Sequence, residues 1–205
     1  MLICDNVSFA RGGVPILEHV GFCLKPGGFL LIKGPNGSGK TSFMRTLAGL
    51  AAPVSGGITW RGEDVRNNDI FRQSLIYVGH ANAVKTECTV EENIRFWANC
   101  YDTHAMALPA MHYFGLSDKK HIACGRLSAG WQKRVALSRL LLSPAPLWLL
   151  DEPTNYLDKE GIALVGSLIE TRVQHEGIVI VASHAVHSSF DAHILMMEDF
   201  APCSA

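Results

Sequence analysis

A glycine-rich octapeptide has the residue types and spacing that phosphate chemistry requires. Residues 34–41 read GPNGSGKT, a pattern in which glycines let backbone amides wrap a phosphate group. The Lys40 ammonium supplies a charge for the outer phosphates, and the Thr41 hydroxyl is a suitable ligand for magnesium. The octapeptide therefore predicts a site for ATP together with Mg²⁺. The predicted phosphate-binding residues are Gly34, Pro35, Asn36, Gly37, Ser38, Gly39, Lys40 and Thr41.

Two adjacent acids and a histidine supply groups that hydrolysis of ATP would need. Asp151 and Glu152 end the apolar run LWLL, and successive side chains along a strand point in opposite directions. We therefore expect Asp151 in the magnesium shell and Glu152 orienting or deprotonating the attacking water. His184 follows the apolar run at 178–182 and is predicted to hydrogen-bond the terminal phosphate. Without the octapeptide, each would more often be an ordinary strand-end residue.

The tetrapeptide LSAG at residues 127–130 predicts a second anion site. Ser128 is expected to cap a helix that continues as far as Leu140. Free backbone amides would then remain at the helix N-terminus, beside Ala129 and Gly130. A nucleotide bound by the octapeptide has little need of these amides, unless the helix completes the site of a neighbouring subunit. The alternative is an ordinary capped helix on the surface.

The apolar pattern predicts an α/β fold around these motifs. The octapeptide lies between an apolar run and a segment with helical spacing, which is the order strand, loop, helix. Thr89 and Glu92 fit a capping box, so mostly helical sequence is expected from there to about Leu142. Strands alternating with helices imply a mainly parallel sheet covered on both sides, with a helical insertion. Strands are predicted at 7–9, 20–24, 29–32, 56–62, 75–78, 147–150, 178–182 and 194–197.

Composition and charge argue against several classes of protein. The chain has 205 residues, enough for one substantial core, and its formal net charge is −1. That balance is unlike the basic footprint of a protein that binds nucleic acid directly. The six cysteines never stand in a CxxC or CxxCH spacing, which argues against a zinc knuckle, a redox pair or covalent haem attachment. Without a secretory signal or an apolar run near the ~20 residues of a membrane span, a soluble or peripheral protein is expected.

Together and in this order, the motifs resemble those of the nucleotide-binding subunits of ABC transporters, over essentially the whole chain. The resemblance implies a P-loop NTPase fold of the RecA-like type, with an N-terminal antiparallel β region. It also implies one ATPase domain over residues 1–205, with a core at 1–85 and 143–205 and a helical subdomain at about 86–142.

The same resemblance implies a homodimer that encloses two ATP molecules head to tail. Each phosphate loop would face the LSAG element of the other copy, through Ser128, Ala129 and Gly130. Asp158 of the segment PTNYLD would lie near the junction. Movement would pass to integral membrane subunits through a groove near residues 77–92.

Several residues depart from the usual pattern of the family. Gly79-His80 stands where most members have a glutamine, and His80 can still make one hydrogen bond near the metal. Arg11 takes the place of the aromatic ring that stacks on adenine, and its planar guanidinium can also stack. The LSAG segment corresponds to the signature sequence of the family, and in it Ala129 replaces the second glycine. Trp131, directly after it, replaces the usual glutamine. The backbone amides survive these changes, whereas the glutamine side chain is lost.

Four segments resemble one group within the family, the ATPase subunits of the haem exporter of bacterial cytochrome c maturation. They are YVGH at 77–80, residues 85–97, the LSAG signature and LWLLDEP. Members of that group work at the cytoplasmic face of the bacterial inner membrane, peripherally and with integral membrane partners. Haem is not expected to bind this subunit itself, because no pair of residues here makes a convincing haem ligand set.

Two other functions remain open from the sequence. An ATPase subunit of a different small exporter would share every catalytic motif and differ in its membrane partner. A soluble ABC protein acting on ribosomes, DNA or metal-cluster assembly belongs to another class, and Thr154-Asn155 is similar to translation-associated members. Against that alternative, those proteins usually carry two cassettes, and the near-neutral charge disfavours nucleic acid.

Overall fold

Strands and helices alternate along the computed structural model, which describes residues 1–183 and 193–202. The strands are β1 (Leu2–Arg11), β2 (Val14–Leu24), β3 (Phe29–Lys33), β4 (Ser55–Trp60), β5 (Glu63–Asp64), β6 (Leu75–Val78), β7 (Leu147–Asp151), β8 (Ile178–Ala182) and β9 (His193–Met196). The α-helices are α1 (Lys40–Leu47), α2 (Asp69–Ser74), α3 (Val90–Cys100), α4 (Ala107–Tyr113), α5 (Ala129–Leu137), α6 (Arg139–Leu142) and α7 (Lys159–Gln174).

A parallel sheet brings the predicted motifs to one edge. Its strand order in the described residues is β6-β7-β8-β3-β9, and each neighbouring pair is parallel. β3 leads into the phosphate loop and α1, β7 ends at Asp151, and β6 leads into Gly79-His80. Because the carboxyl ends of parallel strands share an edge, these distant segments meet where open α/β sheets bind ligands.

A second sheet, with the order β2-β1-β4-β5 in the described part, is antiparallel. β1 is longer than the predicted strand at 7–9. Its register shifts between Cys4 and Val7, where Asn6 has a φ of 49°. This irregularity hides the period of two in the first half of the strand. The fold is that of a P-loop NTPase with an N-terminal antiparallel region, as predicted.

The parallel sheet is buried on both faces. Leu30 and Ile32 of β3 join an apolar cluster with α1 and the antiparallel sheet, while Leu31 joins a cluster with α3 to α7. The strands therefore read as continuous apolar runs instead of alternating ones. Removal of these side chains from water is the main stabilising contribution to the fold, and it holds the sheet edge in place beneath the site.

The helical region begins with the predicted capping box. The Thr89 hydroxyl accepts a hydrogen bond from Glu92 N at 3.2 Å, and the Glu92 carboxylate accepts one from Thr89 N at 2.7 Å. These two bonds satisfy amides that the first turn of α3 leaves open. No helix in the described residues combines the length and the apolar character that crossing a bilayer requires.

The predicted continuous helix as far as Leu140 is wrong. α5 ends at Leu137, and α6 begins two residues later at Arg139. Between them the Ser138 hydroxyl donates to Val135 O at 2.7 Å. A serine that bonds the backbone of the preceding turn competes with the regular helical pattern, which explains the break.

Candidate functional site

A cavity of about 540 Å³ opens at the carboxyl edge of the parallel sheet. Most of the residues predicted for phosphate binding, metal binding and catalysis line it. Two further lining residues were not predicted: Ser42 directly follows the octapeptide, and Asn155 follows the two acids in a turn. The full lining is Arg11, Asn36, Gly37, Gly39, Lys40, Thr41, Ser42, His80, Asp151, Glu152 and Asn155.

Two glycines keep the shape of the phosphate loop. Gly37 and Gly39 have φ values of 85° and 95°, a region that residues with a Cβ rarely adopt. A Cβ on Gly39 would also lie 2.5 Å from Ile16 Cγ2. Ser38 N donates to Pro35 O at 3.2 Å and closes the turn between them. Backbone conformation explains glycine at both positions, and lack of space adds a second reason at Gly39 alone.

The phosphate loop itself holds Lys40. The side chain is 7% exposed, and Nζ donates to Gly34 O at 2.8 Å and to Pro35 O at 3.1 Å. Nζ also lies 3.9 Å from Glu152 Oε1. Of the predicted phosphate-binding residues, Gly34, Pro35 and Ser38 are not part of the cavity lining. The first two instead act on the Lys40 ammonium through their carbonyl groups.

Asp151 presents a buried carboxylate at the base of the site. The residue is fully buried, and within the described residues neither Oδ1 nor Oδ2 has a hydrogen-bond partner. A buried charge of this kind normally pairs with a counter-ion. With the Thr41 hydroxyl on the same cavity, it fits Mg²⁺, which takes one or two protein ligands and completes its shell with phosphate oxygens and water. The described residues contain no group of three or more His, Cys, Asp or Glu side chains that could hold a metal ion on its own.

Tyr77 of β6 lies on the same face of the sheet as Asp151. It is in register with Leu149, and Leu149 and Asp151 share a face because they are two residues apart on β7. Burial and, to a smaller extent, the Asp151 carboxylate raise the pKa of Tyr77 to about 12. The hydroxyl therefore keeps its proton at neutral pH. The local sequence does not indicate this proximity, since it depends on strand pairing.

Glu152 follows in a left-handed backbone conformation. Its φ is 48°, its amide donates to Ala182 O at 2.8 Å, and its side chain is 13% exposed on the cavity wall. Such conformations in a non-glycine residue are concentrated at functional sites. Lys133 of α5 is a second unpredicted neighbour: burial lowers its pKa, while the attraction of Asp151 and Glu152 opposes that change. A buried cation therefore acts on both carboxylates.

Arg11 lies where the cavity continues beyond the phosphates. It also lines an adjoining cavity of about 340 Å³, together with Arg45 and Thr46. The nearby ring of Phe9 is 4% exposed and stacks on Phe43 with centroids 6.4 Å apart. Phe9 thus has almost no free face for a base, whereas the planar guanidinium of Arg11 lines both cavities.

Of the two histidines predicted to be catalytic, the structure describes only His80. His80 is exposed, and the structure brings it to the cavity with Asp151 and Glu152. His184 lies outside the described residues.

A second cavity, of about 390 Å³, lies at the N-terminus of α5. Its lining shares no residue with that of the first cavity, and consists of Ser128, Ala129, Gly130, Trp131, Arg134, Tyr156, Leu157 and Asp158. Ser128 occupies the N-cap position, but the predicted side-chain cap is wrong because its hydroxyl makes no capping hydrogen bond. The side chain is exposed, so water can satisfy it instead. The first turn of α5 still presents its amides at this cavity.

Asp158 is bound to the same helix. Its Oδ1 accepts hydrogen bonds from Gly161 N at 2.8 Å and from Arg134 Nη2 at 2.7 Å, and both donors lower the pKa of Asp158. Arg134, which is 5% exposed, also donates to Phe114 O and lies 4.8 Å from the centre of the Trp131 ring. Asp158 thus caps α7 and fastens it to α5, in addition to lining the second cavity.

The segment 152–158 connects the two cavities. Asn155 lines the first and the adjacent Tyr156 the second. Tyr156 has a φ of 68° and is 67% exposed, an unusual combination for a large aromatic residue. A Cβ on Gly130 would lie 2.6 Å from Tyr156 O. The signature helix, which is α5 beginning in the LSAG segment, is therefore in close backbone contact with segment 152–158.

Comparison with known proteins identifies the family of this chain and finds its fold in solved structures. Residues 17–155 match the ABC transporter family. The cytochrome c biogenesis ATP-binding export protein CcmA of Wolbachia pipientis is 42% identical over 186 residues, which is 90% of each chain. A putative ABC transporter ATP-binding protein of Pyrococcus furiosus superposes with a TM-score of 0.85 at 24% identity, over 98% of this chain and 99% of that one. A dimeric ATP-binding cassette in a post-hydrolysis state, with ADP and Pi bound, gives 0.76 at 24% identity, over 90% and 88% of the respective chains.

Proposed function

Because this chain belongs to the ABC transporter family, and within it to the CcmA group of cytochrome c biogenesis ATP-binding export proteins, we propose that it is the ATP-hydrolysing subunit of a haem exporter. The exporter would serve the biogenesis of c-type cytochromes. The observation that carries the proposal is the convergence of Lys40, Asp151 and Glu152 on one cavity beside a glycine-rich loop.

In the proposed reaction, the phosphate chain of ATP lies along the loop at 36–41. The Lys40 ammonium exchanges the carbonyl oxygens of Gly34 and Pro35 for phosphate oxygens. Glu152, no longer attracted by Lys40, orients a water molecule toward the terminal phosphate and takes its proton. Magnesium, when bound by Thr41 and Asp151, supplies charge that neutralises the phosphate oxygens.

The nucleotide base would extend past Arg11. The guanidinium plane can stack on adenine, and the adjoining cavity beside Arg45 and Thr46 gives the base room. His80, which lines the same cavity as Asp151 and Glu152, would supply one hydrogen bond there. These assignments rest on the lining of the cavity and on the chemistry of the side chains.

The working form is a homodimer in which the two sites are shared. The LSAG cavity and the phosphate cavity have no lining residue in common, which supports an arrangement in which the LSAG amides of one copy contact the ATP molecule held by the other. The dimer of the related cassette with ADP and Pi bound is a precedent for such an assembly. Tyr156 and Asp158, exposed beside the LSAG amides, would lie at the junction.

Integral membrane subunits are the partners proposed for the helical subdomain, residues 86–142. Its first helix presents Phe96, which is 39% exposed with Lys85 Nζ 3.7 Å from the ring centre. Behind it, Trp97 stacks on Tyr101 and packs against the Arg139 guanidinium. The protein would work at the cytoplasmic face of the inner membrane as a peripheral subunit, with haem handled by its partners.

The experiment is replacement of Lys40 by Ala in a host that depends on the chain, with Lys25→Ala as a control at an exposed turn. Membrane subunits should co-purify with the unmodified protein, and Lys40→Ala should abolish covalent haem in periplasmic c-type cytochromes while Lys25→Ala preserves it. Normal cytochromes in the Lys40→Ala strain would overturn the proposal. Loss of another exported compound instead would identify a different small exporter.

A further inference from the structure

Tyr77 is linked by geometry to both the proposed metal ligand and the loop that carries His80. Its position opposite Leu149 puts its side chain on the face of the sheet that ends in the Asp151 carboxylate. That face is covered by α1, and the Tyr77 side chain packs against the apolar cluster to which α1 contributes. In this layer Asp151 has two carboxylate oxygens that no hydrogen bond orients within the described residues.

The ring of Tyr77 also supports the chain at Gly79. A Cβ on Gly79 would lie 3.2 Å from Tyr77 Cε1 and 3.3 Å from its hydroxyl oxygen, so the backbone passes directly over the ring before His80. Tyr77 O accepts a hydrogen bond from Arg139 Nη2 at 2.9 Å, which anchors the strand end from the helical side. The backbone of Tyr77 is therefore held by Arg139, and its ring is packed beneath Gly79.

We propose that Tyr77 is a positioning residue, whose hydroxyl orients the Asp151 carboxylate for magnesium and whose ring links that carboxylate to the Gly79-His80 loop. Tyr77 lies on the face of β6 that borders Asp151, and its hydroxyl oxygen is 3.3 Å from a Cβ built on Gly79, so the hydroxyl is directed toward the edge of the sheet where β7 ends at Asp151. Donation to one carboxylate oxygen would leave the other directed at the cation, as groups behind metal ligands commonly do. The inference rests on the proposed function, since it requires a magnesium nucleotide in this cavity.

Tyr77→Phe tests the role of the hydroxyl, and Tyr113→Phe is the matched control. Both tyrosines are half-buried, and the Tyr113 hydroxyl bonds Leu164 O, away from the cavity. The probe is Mn²⁺ with a non-hydrolysable ATP analogue, followed through the electron paramagnetic resonance signal of free Mn²⁺, so no turnover is involved. Tyr77→Phe should weaken nucleotide-dependent Mn²⁺ binding by about tenfold. Affinity for the analogue in EDTA should stay within about twofold, and Tyr113→Phe should change neither quantity.

Gly79→Ala provides a second test of the link to the loop. Its Cβ would displace the ring, so Mn²⁺ binding should weaken as in Tyr77→Phe, and the double variant should lose little more than either single one. Unchanged Mn²⁺ affinity in Tyr77→Phe, with the unmodified protein binding normally, would overturn this inference and leave the proposed function intact. Absence of nucleotide-dependent Mn²⁺ binding in the unmodified protein would overturn both.

Discussion

Lys40 Nζ and Glu152 Oε1 lie 3.9 Å apart, so the cation expected to bind phosphate is already beside the carboxylate expected to activate water. Both side chains are largely buried, where opposite charges attract more strongly than in bulk water. Incoming phosphates would compete with Glu152 for the Lys40 ammonium. Binding of the nucleotide is therefore expected to free the Glu152 carboxylate from Lys40, so that it can act as the general base.

Replacing Glu152 by Gln should lower ATP hydrolysis by about a hundredfold or more, because a positioned general base contributes on that scale. ATP binding should persist, since the phosphate loop is intact, and an ATP-bound dimer should accumulate. Steady-state phosphate release and size-exclusion chromatography with ATP measure the two effects. Glu63→Gln, at an exposed position in β5, is the control and should behave like the unmodified protein. Near-normal hydrolysis by Glu152→Gln would remove Glu152 from its role.

Mixing two inactive subunits should restore activity if the sites are shared. Lys40→Ala damages the phosphate cavity, and Ser128→Arg blocks the LSAG cavity. Both sites of either homodimer are therefore inactive. A heterodimer contains one site made from two intact halves. Hydrolysis should reappear after mixing, at up to about half of the normal rate per dimer. Absence of recovery, despite heterodimers detected with two affinity tags, contradicts sharing.

Gly130→Ala should impair hydrolysis without unfolding the protein. The new Cβ would meet Tyr156 O, and the signature helix and segment 152–158 would have to separate by a few tenths of an ångström or more. Gly166→Ala is the matched control in α7, because its Cβ would meet open space. That substitution should stabilise the fold by about 0.5–1 kcal/mol, the usual gain of alanine over glycine inside a helix. Equal ATPase rates in the two variants would show that the contact is unimportant.

The reactivity of the thiols should follow their burial. Burial raises the pKa of Cys4 from 9.0 to about 12 and that of Cys124 from 9.0 to about 11, whereas Cys23 and Cys100 are exposed. Because thiolate is the reactive form, iodoacetamide near neutral pH should label the exposed pair and spare the buried pair. The stability gained by keeping these buried cysteines protonated is fully present below pH 9 and is lost as the pH rises toward 11. Protection of Cys124 from labelling should therefore fail before that of Cys4. Peptide mass spectrometry distinguishes these outcomes from uniform labelling.

Much of the site could be predicted from the sequence because its parts are local. The octapeptide determines its own turn through Gly37 and Gly39, and the capping box at Thr89 is complete within four residues. Apolar runs such as the one ending at Asp151 predict buried parallel strands, whose common edge then follows from topology.

The remaining features depend on contacts between distant residues. Arg134 reaches Asp158 across 24 positions, and Tyr77 meets the Asp151 side of the sheet only through strand pairing. Lys133 is a charged residue that composition would assign to the surface, yet it is 2% exposed. The break at Ser138 accompanies a hydrogen bond from its hydroxyl to Val135 O, and helical periodicity does not reveal that bond.

The short segment between Glu152 and Asp158 has a consequence for the rate of turnover. Since Asn155 lines the phosphate cavity and the adjacent Tyr156 lines the LSAG cavity, we expect a change of conformation at one nucleotide to reach the surface that would receive the other. The proposed homodimer would contain two such segments, one in each subunit. The two ATP molecules would then be consumed in a correlated manner, and the rate should rise more steeply than linearly at low ATP concentration.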